Sequence, residues 1–118
     1  LKEIGIKKPS LISTLKKNKE KAVALVDHNE LSQVSDKIDF AQVSYIIDHH
    51  KLLAQTEKPI FCRVEPLGST ATIIAKMFQE RKIKVSKTIA KLLLAGILSD
   101  TLNLVSPTTT VEDKKVAR

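Results

Sequence analysis

The spacing of apolar residues changes several times along this chain, and each change predicts an element. Ala22-Val23-Ala24-Leu25-Val26 is an unbroken apolar run rich in branched side chains, as expected of a strand buried on both faces, and it stops at Asp27. A short helical stretch over about Ser10 to Lys17 precedes it, and a polar helix or turn from about Leu31 to Ser35 follows. Val43-Ser44-Tyr45-Ile46-Ile47 predicts a second strand ending at Asp48, and Pro59-Ile60-Phe61-Cys62-Arg63-Val64 a third. Glu65-Pro66-Leu67-Gly68 closes the third, because proline and glycine interrupt pairing there. The period then turns helical. Ser69 and Thr70 can cap a helix over residues 71–80 whose stripe Ile73, Ile74, Met77 and Phe78 is a core face. Ser86 can cap a second helix through Ile89, Leu92, Leu93, Ile97 and Leu98, with Gly96 permitting close packing and Asp100 at its buried C-terminal end. After the loop Ser106-Pro107-Thr108-Thr109-Thr110 a last helix starts at Val111, with Glu112 and Asp113 in its first turn.

Strands alternating with helices predict an α/β fold, a parallel sheet flanked by helices. Functional groups of such sheets gather beyond the carboxyl ends of the strands. Each histidine group of this chain follows an aspartate at such an end, in Asp27-His28 and Asp48-His49-His50. One Asp-His pair is more often a strand-end turn with a surface histidine than a site. Two pairs at successive strand ends, with Asp100 besides, point to convergence. Carboxylate and imidazole together suit divalent ions such as manganese, and a carboxylate can bridge two ions in a hydrolytic centre.

Composition narrows the partners. The 118 residues carry a net charge of +7, which suggests an anionic partner, yet Asp27, Glu30, Asp36, Asp39 and Asp48 face Lys37 alone between residues 27 and 48. Acids beside histidines within a basic chain are what a cation site for a polyanionic substrate looks like. Aromatics make up 3% of the chain and tryptophan is absent, which speaks against nucleic acid, although short single strands stay open. No apolar run is long enough to cross a membrane, and the single Cys62 fits a reducing compartment. The expected location is the cytoplasm.

Four motifs in order then carry a resemblance. Val26-Asp27-His28-Asn29-Glu30, Ile47-Asp48-His49-His50-Lys51, Glu65-Pro66-Leu67-Gly68-Ser69-Thr70-Ala71-Thr72-Ile73 and Ile97-Leu98-Ser99-Asp100-Thr101, followed by Ser106-Pro107-Thr108-Thr109, resemble the manganese-dependent (family II) inorganic pyrophosphatases of the DHH phosphoesterase superfamily. The resemblance implies hydrolysis of pyrophosphate to two orthophosphates by a two-metal mechanism, with Mn2+ as cofactor, Co2+ or Mg2+ as alternatives, and a homodimer of the parent protein. It implies Asp27 as the bridging carboxylate, His49 and Asp100 as metal ligands, and His50 as the catalytic donor to the substrate phosphates. Asp48 would orient the histidine pair, with His28, Asn29 and Gln33 as further support.

Some features depart from the family pattern. A first strand ending in His-x-Pro-Asp-x-Asp and a C-terminal substrate domain have no counterpart here, so residues 1–118 are expected to be a partial DHH domain with about three strands. Such a piece is expected to bind manganese weakly and to turn over little pyrophosphate. Asn103 and Val105 stand where relatives often carry leucine and lysine. Two other functions stay open: a DHH phosphoesterase acting on oligonucleotides, cyclic dinucleotides or polyphosphate, and a catalytically inactive fragment or regulatory module.

Overall fold

A computed structural model describes residues 5–11 and 22–118. The helical stretch expected over about Ser10 to Lys17 lies mostly outside the described residues. Three parallel strands form one sheet in the order β1 (Val23–Val26), β2 (Val43–Asp48), β3 (Phe61–Val64). Ala24 lies opposite Tyr45 and Tyr45 opposite Phe61, with a bulge between Val23 and Ala24. The parallel arrangement sets Asp27, Asp48 and Glu65 at one edge of the sheet, each at or just beyond the end of its strand. The link from β1 to β2 contains only two 3-10 turns, Leu31–Gln33 and Phe40–Gln42.

Among the described residues β1 is an edge strand. Its Leu25 is buried, but Val26 is 41% exposed and Ala24 is open as well, so the burial on both faces expected from its apolar run does not occur. The reason is layering: Leu25, Val43 and Ile46 pack against Val34, Phe40, Ala54, Ile60 and Val64 on one side of the sheet. Val26, Tyr45 and Phe61 lie on the other side, half-covered, with the Tyr45 and Phe61 rings 6.1 Å apart.

The helices form where their caps predict. Ser69 caps α1 (Thr70–Glu80) by accepting from the Ala71 amide, and Ser86 caps α2 (Lys87–Asp100) by accepting from that of Ile89. Thr110 caps α3 (Val111–Val116) in a full capping box with Asp113. α1 buries Thr70, Thr72, Ile73 and Ala75, leaving Ile74, Met77 and Phe78 of the expected core stripe half-buried. α2 is less buried than its apolar sequence suggests. Only Ile97 is fully covered, because the helix packs on α1 along one line, where a Cβ on Gly96 would come 3.1 Å from that of Ala71. Ile89 and Leu94 remain 38% exposed, and Asp100, expected at a buried helix end, is exposed. No helix of the described residues is long and apolar enough to cross a membrane.

Candidate metal centre

At the carboxyl edge of the sheet the backbone turns sharply after β1. Asp27 still donates its N–H to the Ile47 carbonyl at 3.0 Å, then adopts φ of 68°, a left-handed conformation that aspartate tolerates better than most residues. This turn leaves the Asp27 carboxylate at the surface, next to the end of β2. There Asp48 is wholly buried and points its carboxylate back at its own chain. Oδ1 accepts the amides of His49 and His50 at 2.8 and 3.2 Å and lies 2.8 Å from His50 Nδ1. Oδ2 accepts from Asn29 Nδ2 at 2.7 Å. Burial alone pushes the Asp48 carboxyl up, but the hydrogen bonds from Asn29, the His50 side chain and the two amides outweigh it, so its pKa lies below the ordinary value.

Each histidine is committed through Nδ1. His49 Nδ1 lies 3.0 Å from the Leu67 carbonyl, and His28 Nδ1 3.0 Å from the Val26 carbonyl. A carbonyl only accepts, so both rings donate from Nδ1, and His50 does the same to the ionised Asp48. In the neutral imidazoles Nε2 then carries the lone pair. His49 Nε2 faces Asp27 Oδ1 at 3.6 Å, two electron-pair donors with no proton of their own to share. The ligand atoms of Asp27, His49 and His50 lie within 4.8 Å of one another, and the two imidazoles meet edge to face at 4.1 Å. One carboxylate and two imidazole nitrogens converging in this way fit a divalent transition ion.

Beside the cluster opens a cleft of about 450 Å³, walled by Asp27, His28, Glu30, Gln33, His50 and Lys51. Asn29 supports it from beneath. Its buried amide binds Asp48 and the Lys51 carbonyl, and its Oδ1 accepts the Leu53 amide at 2.6 Å, tying the end of β1 to the chain after β2. Asp27, His49 and His50 therefore come together, with Asp48 and Asn29 behind them and His28 and Gln33 in the wall. Asp100 is not part of the close cluster. Its Oδ2 accepts from Ser69 Oγ at 2.6 Å, which attaches it to the cap of α1.

Two further polar groups hold the segment from Glu65 to Ser69 against the cluster. Glu65 takes Arg63 Nε at 2.7 Å and the Lys76 ammonium, while Arg63 forms two bonds to Glu80. The Arg63 guanidinium is correspondingly harder to deprotonate, chiefly through Glu80. Asp113, wholly buried, accepts the Gly68 amide at 2.8 Å, Thr72 Oγ1 at 2.5 Å, and both the amide and hydroxyl of Thr110. Sequence pattern marks Asp113 only as a helix-start acid; its contacts with Gly68 and Thr72 lie more than 40 residues away and leave no local signal.

A parallel α/β sheet that gathers aspartate and histidine side chains at its carboxyl edge defines the class of fold, and comparison with known proteins gives the family. The family model described as "DHH family, N-terminal domain" matches residues 1–97, and the chain belongs to this family. It is 48% identical over 111 residues to a Listeria monocytogenes protein named "Probable manganese-dependent inorganic pyrophosphatase", covering 93% of this chain and 36% of that protein. An Oceanobacillus iheyensis protein of the same name is 45% identical over 118 residues, covering 99% of this chain and 38% of the relative. The crystal structure of a Methanococcus jannaschii "putative family II inorganic pyrophosphatase" superposes with a TM-score of 0.87 at 39% identity, covering 98% of this chain and 40% of that one. The chain thus spans little more than a third of the curated relatives it matches.

Proposed function

We propose that this chain supplies one half of a manganese centre that hydrolyses pyrophosphate to two orthophosphates. The observation that carries the proposal is the cluster of Asp27, His49 and His50, with the His49 lone pair directed at the Asp27 carboxylate across 3.6 Å. The names of the relatives support manganese and pyrophosphate. When bound, the ion would polarise a phosphoryl oxygen and acidify a coordinated water.

In this reading Asp27 and His49 are ligands, and Asp100 joins them from the C-terminal end of α2. His50, held by Asp48 and exposed at the cleft, donates to the substrate phosphates from Nε2, which carries a proton only in the cationic ring. Asp48, Asn29, His28 and Gln33 keep the cleft in shape. The donor set of carboxylate and imidazole favours manganese or cobalt over magnesium, whose chemistry prefers oxygen alone. We infer a homodimer for the whole protein, supported by the half-covered apolar side of the sheet at Val26, Tyr45 and Phe61. A cytoplasmic site is supported by Cys62, exposed and unpaired.

The test is phosphate release by the whole protein, with manganese, cobalt or magnesium, from pyrophosphate and from a short oligonucleotide. Release from pyrophosphate that is greatest with manganese and falls at least a hundredfold in Asp27→Ala is expected. Hydrolysis of the oligonucleotide with pyrophosphate untouched would move the proposal to another phosphoesterase, and no hydrolysis of either to a non-catalytic module.

A further inference from the structure

The peptide between Leu67 and Gly68 lies between His49 and a distant carboxylate. Its carbonyl receives Nδ1–H of His49 at 3.0 Å, and its N–H donates to Oδ2 of Asp113 at 2.8 Å. No cis peptide occurs among the described residues, so the two bonds leave one rigid plane in opposite directions. We propose that Asp113 is a positioning residue for His49, acting through this peptide as a carboxylate–peptide–imidazole relay that ends at the ring nitrogen facing Asp27. The inference rests on reading His49 as a metal ligand.

Three observations carry it. Asp113 does more than a helix cap requires. A capping box needs only the exchange with Thr110, yet this carboxylate is wholly buried and also holds Gly68 and Thr72. Gly68, secondly, is the residue type that admits it. A Cβ there would stand 2.7 Å from Asp113 Oδ2 and 2.8 Å from Thr101 Cγ2, so any side chain would force the carboxylate away. Thirdly, the chemistry has a direction. A negative acceptor on the N–H polarises the peptide and strengthens its carbonyl as an acceptor, since hydrogen bonds in series reinforce one another. A stronger acceptor at Nδ1 keeps the proton there and keeps Nε2 as the lone-pair nitrogen that faces Asp27. Carboxylates bound directly to metal-ligating histidines act in this way. Here a peptide is interposed, and because it is gripped on both sides it cannot rotate when the ring is pulled.

The experiment uses the whole protein labelled with 15N-histidine. In wild type the His49 ring shifts, recorded without metal, should show Nδ1 protonated and Nε2 bare. Asp113→Asn, which keeps volume but removes charge, should draw the two shifts together and weaken Mn2+ binding about tenfold by calorimetry. Thr72→Val removes another hydrogen bond of Asp113 without touching the peptide, and should leave both readouts at the wild-type values. Wild-type ring shifts and affinity in Asp113→Asn overturn the proposal, as does equal loss in Thr72→Val, which would mean simple loosening. His49→Ala separates this from the metal reading: if that variant binds Mn2+ as wild type does, the ligand assignment itself has failed. Should Asp113→Asn not fold, the Gly68 amide proton replaces it. Its resonance should move when Zn2+ is added to wild type and stay still in His49→Ala, and an amide indifferent to Zn2+ in wild type overturns the relay.

Discussion

Asp48 and Asn29 show how a buried charge is made tolerable at this site. An ionised carboxylate out of water is costly unless it is fully hydrogen-bonded, and the amides of His49 and His50, the His50 ring and the Asn29 side chain meet that need. Asn29 in turn closes the Lys51 carbonyl and the Leu53 amide. Asn29→Ala strands all three partners, so a loss of about 2–3 kcal/mol is expected, read as a lower urea midpoint at unchanged slope. Asp48 and Asp113 also set the acid limb of stability. Burial pushes the Asp113 carboxyl up, but bonds from Thr110, Thr72 and Gly68 more than offset this, so its folded pKa, like that of Asp48, is depressed below the ordinary 3.8. A depressed folded pKa contributes stability in full above the unfolded value, and that contribution is lost as pH falls toward the folded one. Urea midpoints should therefore hold down to about pH 5 and then drop, and Asp113→Asn, less stable at neutral pH, should drop less steeply. At this scale the Asp-His groups were legible because they adjoin strand ends. The roles of Asn29 and Asp113 were not, since neither residue type announces which distant amide it will hold.

Among the elements, the segment after α2 is the most unusual. Leu102, Asn103 and Leu104 take φ of 49°, 58° and 66°, three consecutive left-handed residues without a glycine. Such a conformation costs roughly 1–2 kcal/mol for each ordinary residue and is rare in succession. Thr101 holds the turn in place. It is wholly buried, its hydroxyl donates to the Ile97 carbonyl at 2.5 Å and accepts the Leu104 amide at 3.1 Å, and its carbonyl accepts the amides of Val105 and Ser106. Leu102 is 65% exposed, so its side chain contributes little to offset its backbone. Leu102→Gly should raise stability by roughly 0.5–1 kcal/mol, the relief of strain exceeding the added freedom of the unfolded chain. Asn103→Gly should gain less, because asparagine tolerates this region, and comparing the two urea midpoints checks the explanation. The caps Ser69, Ser86 and Thr110 were readable because each bonds to an amide two or three residues on. The left-handed turn was not, because one asparagine between two leucines is a weak turn signal and tertiary contacts impose the conformation on all three residues.

Over the whole molecule the strong net positive charge coexists with an acidic cleft. Asp27, Glu30 and Asp48 lie with the histidines in a basic chain, so an ion bound at the proposed cluster would turn a repulsive wall into an attractive one for a polyanion. A ligand that binds only the folded state stabilises it by mass action. Manganese at a hundred times its dissociation constant should add about 2.7 kcal/mol to unfolding free energy, seen as a rise in melting temperature that a chelator reverses and that Asp27→Ala lacks. A wild-type melting temperature indifferent to manganese would count against the cation site.

By itself the sequence determined the order of strands and helices, their caps, the parallel arrangement and the carboxylates and imidazoles at the strand ends. Those features follow from apolar period and short-range hydrogen bonding, which act over a few neighbouring residues. Only the tertiary structure decided that β1 stays open on one face, that α2 is half-exposed, that His50 joins Asp27 and His49 while Asp100 attaches to Ser69, and that Asp113 reaches the Leu67–Gly68 peptide. These depend on which surfaces happen to cover one another and on hydrogen bonds between residues tens of positions apart, and packing in three dimensions alone selects them.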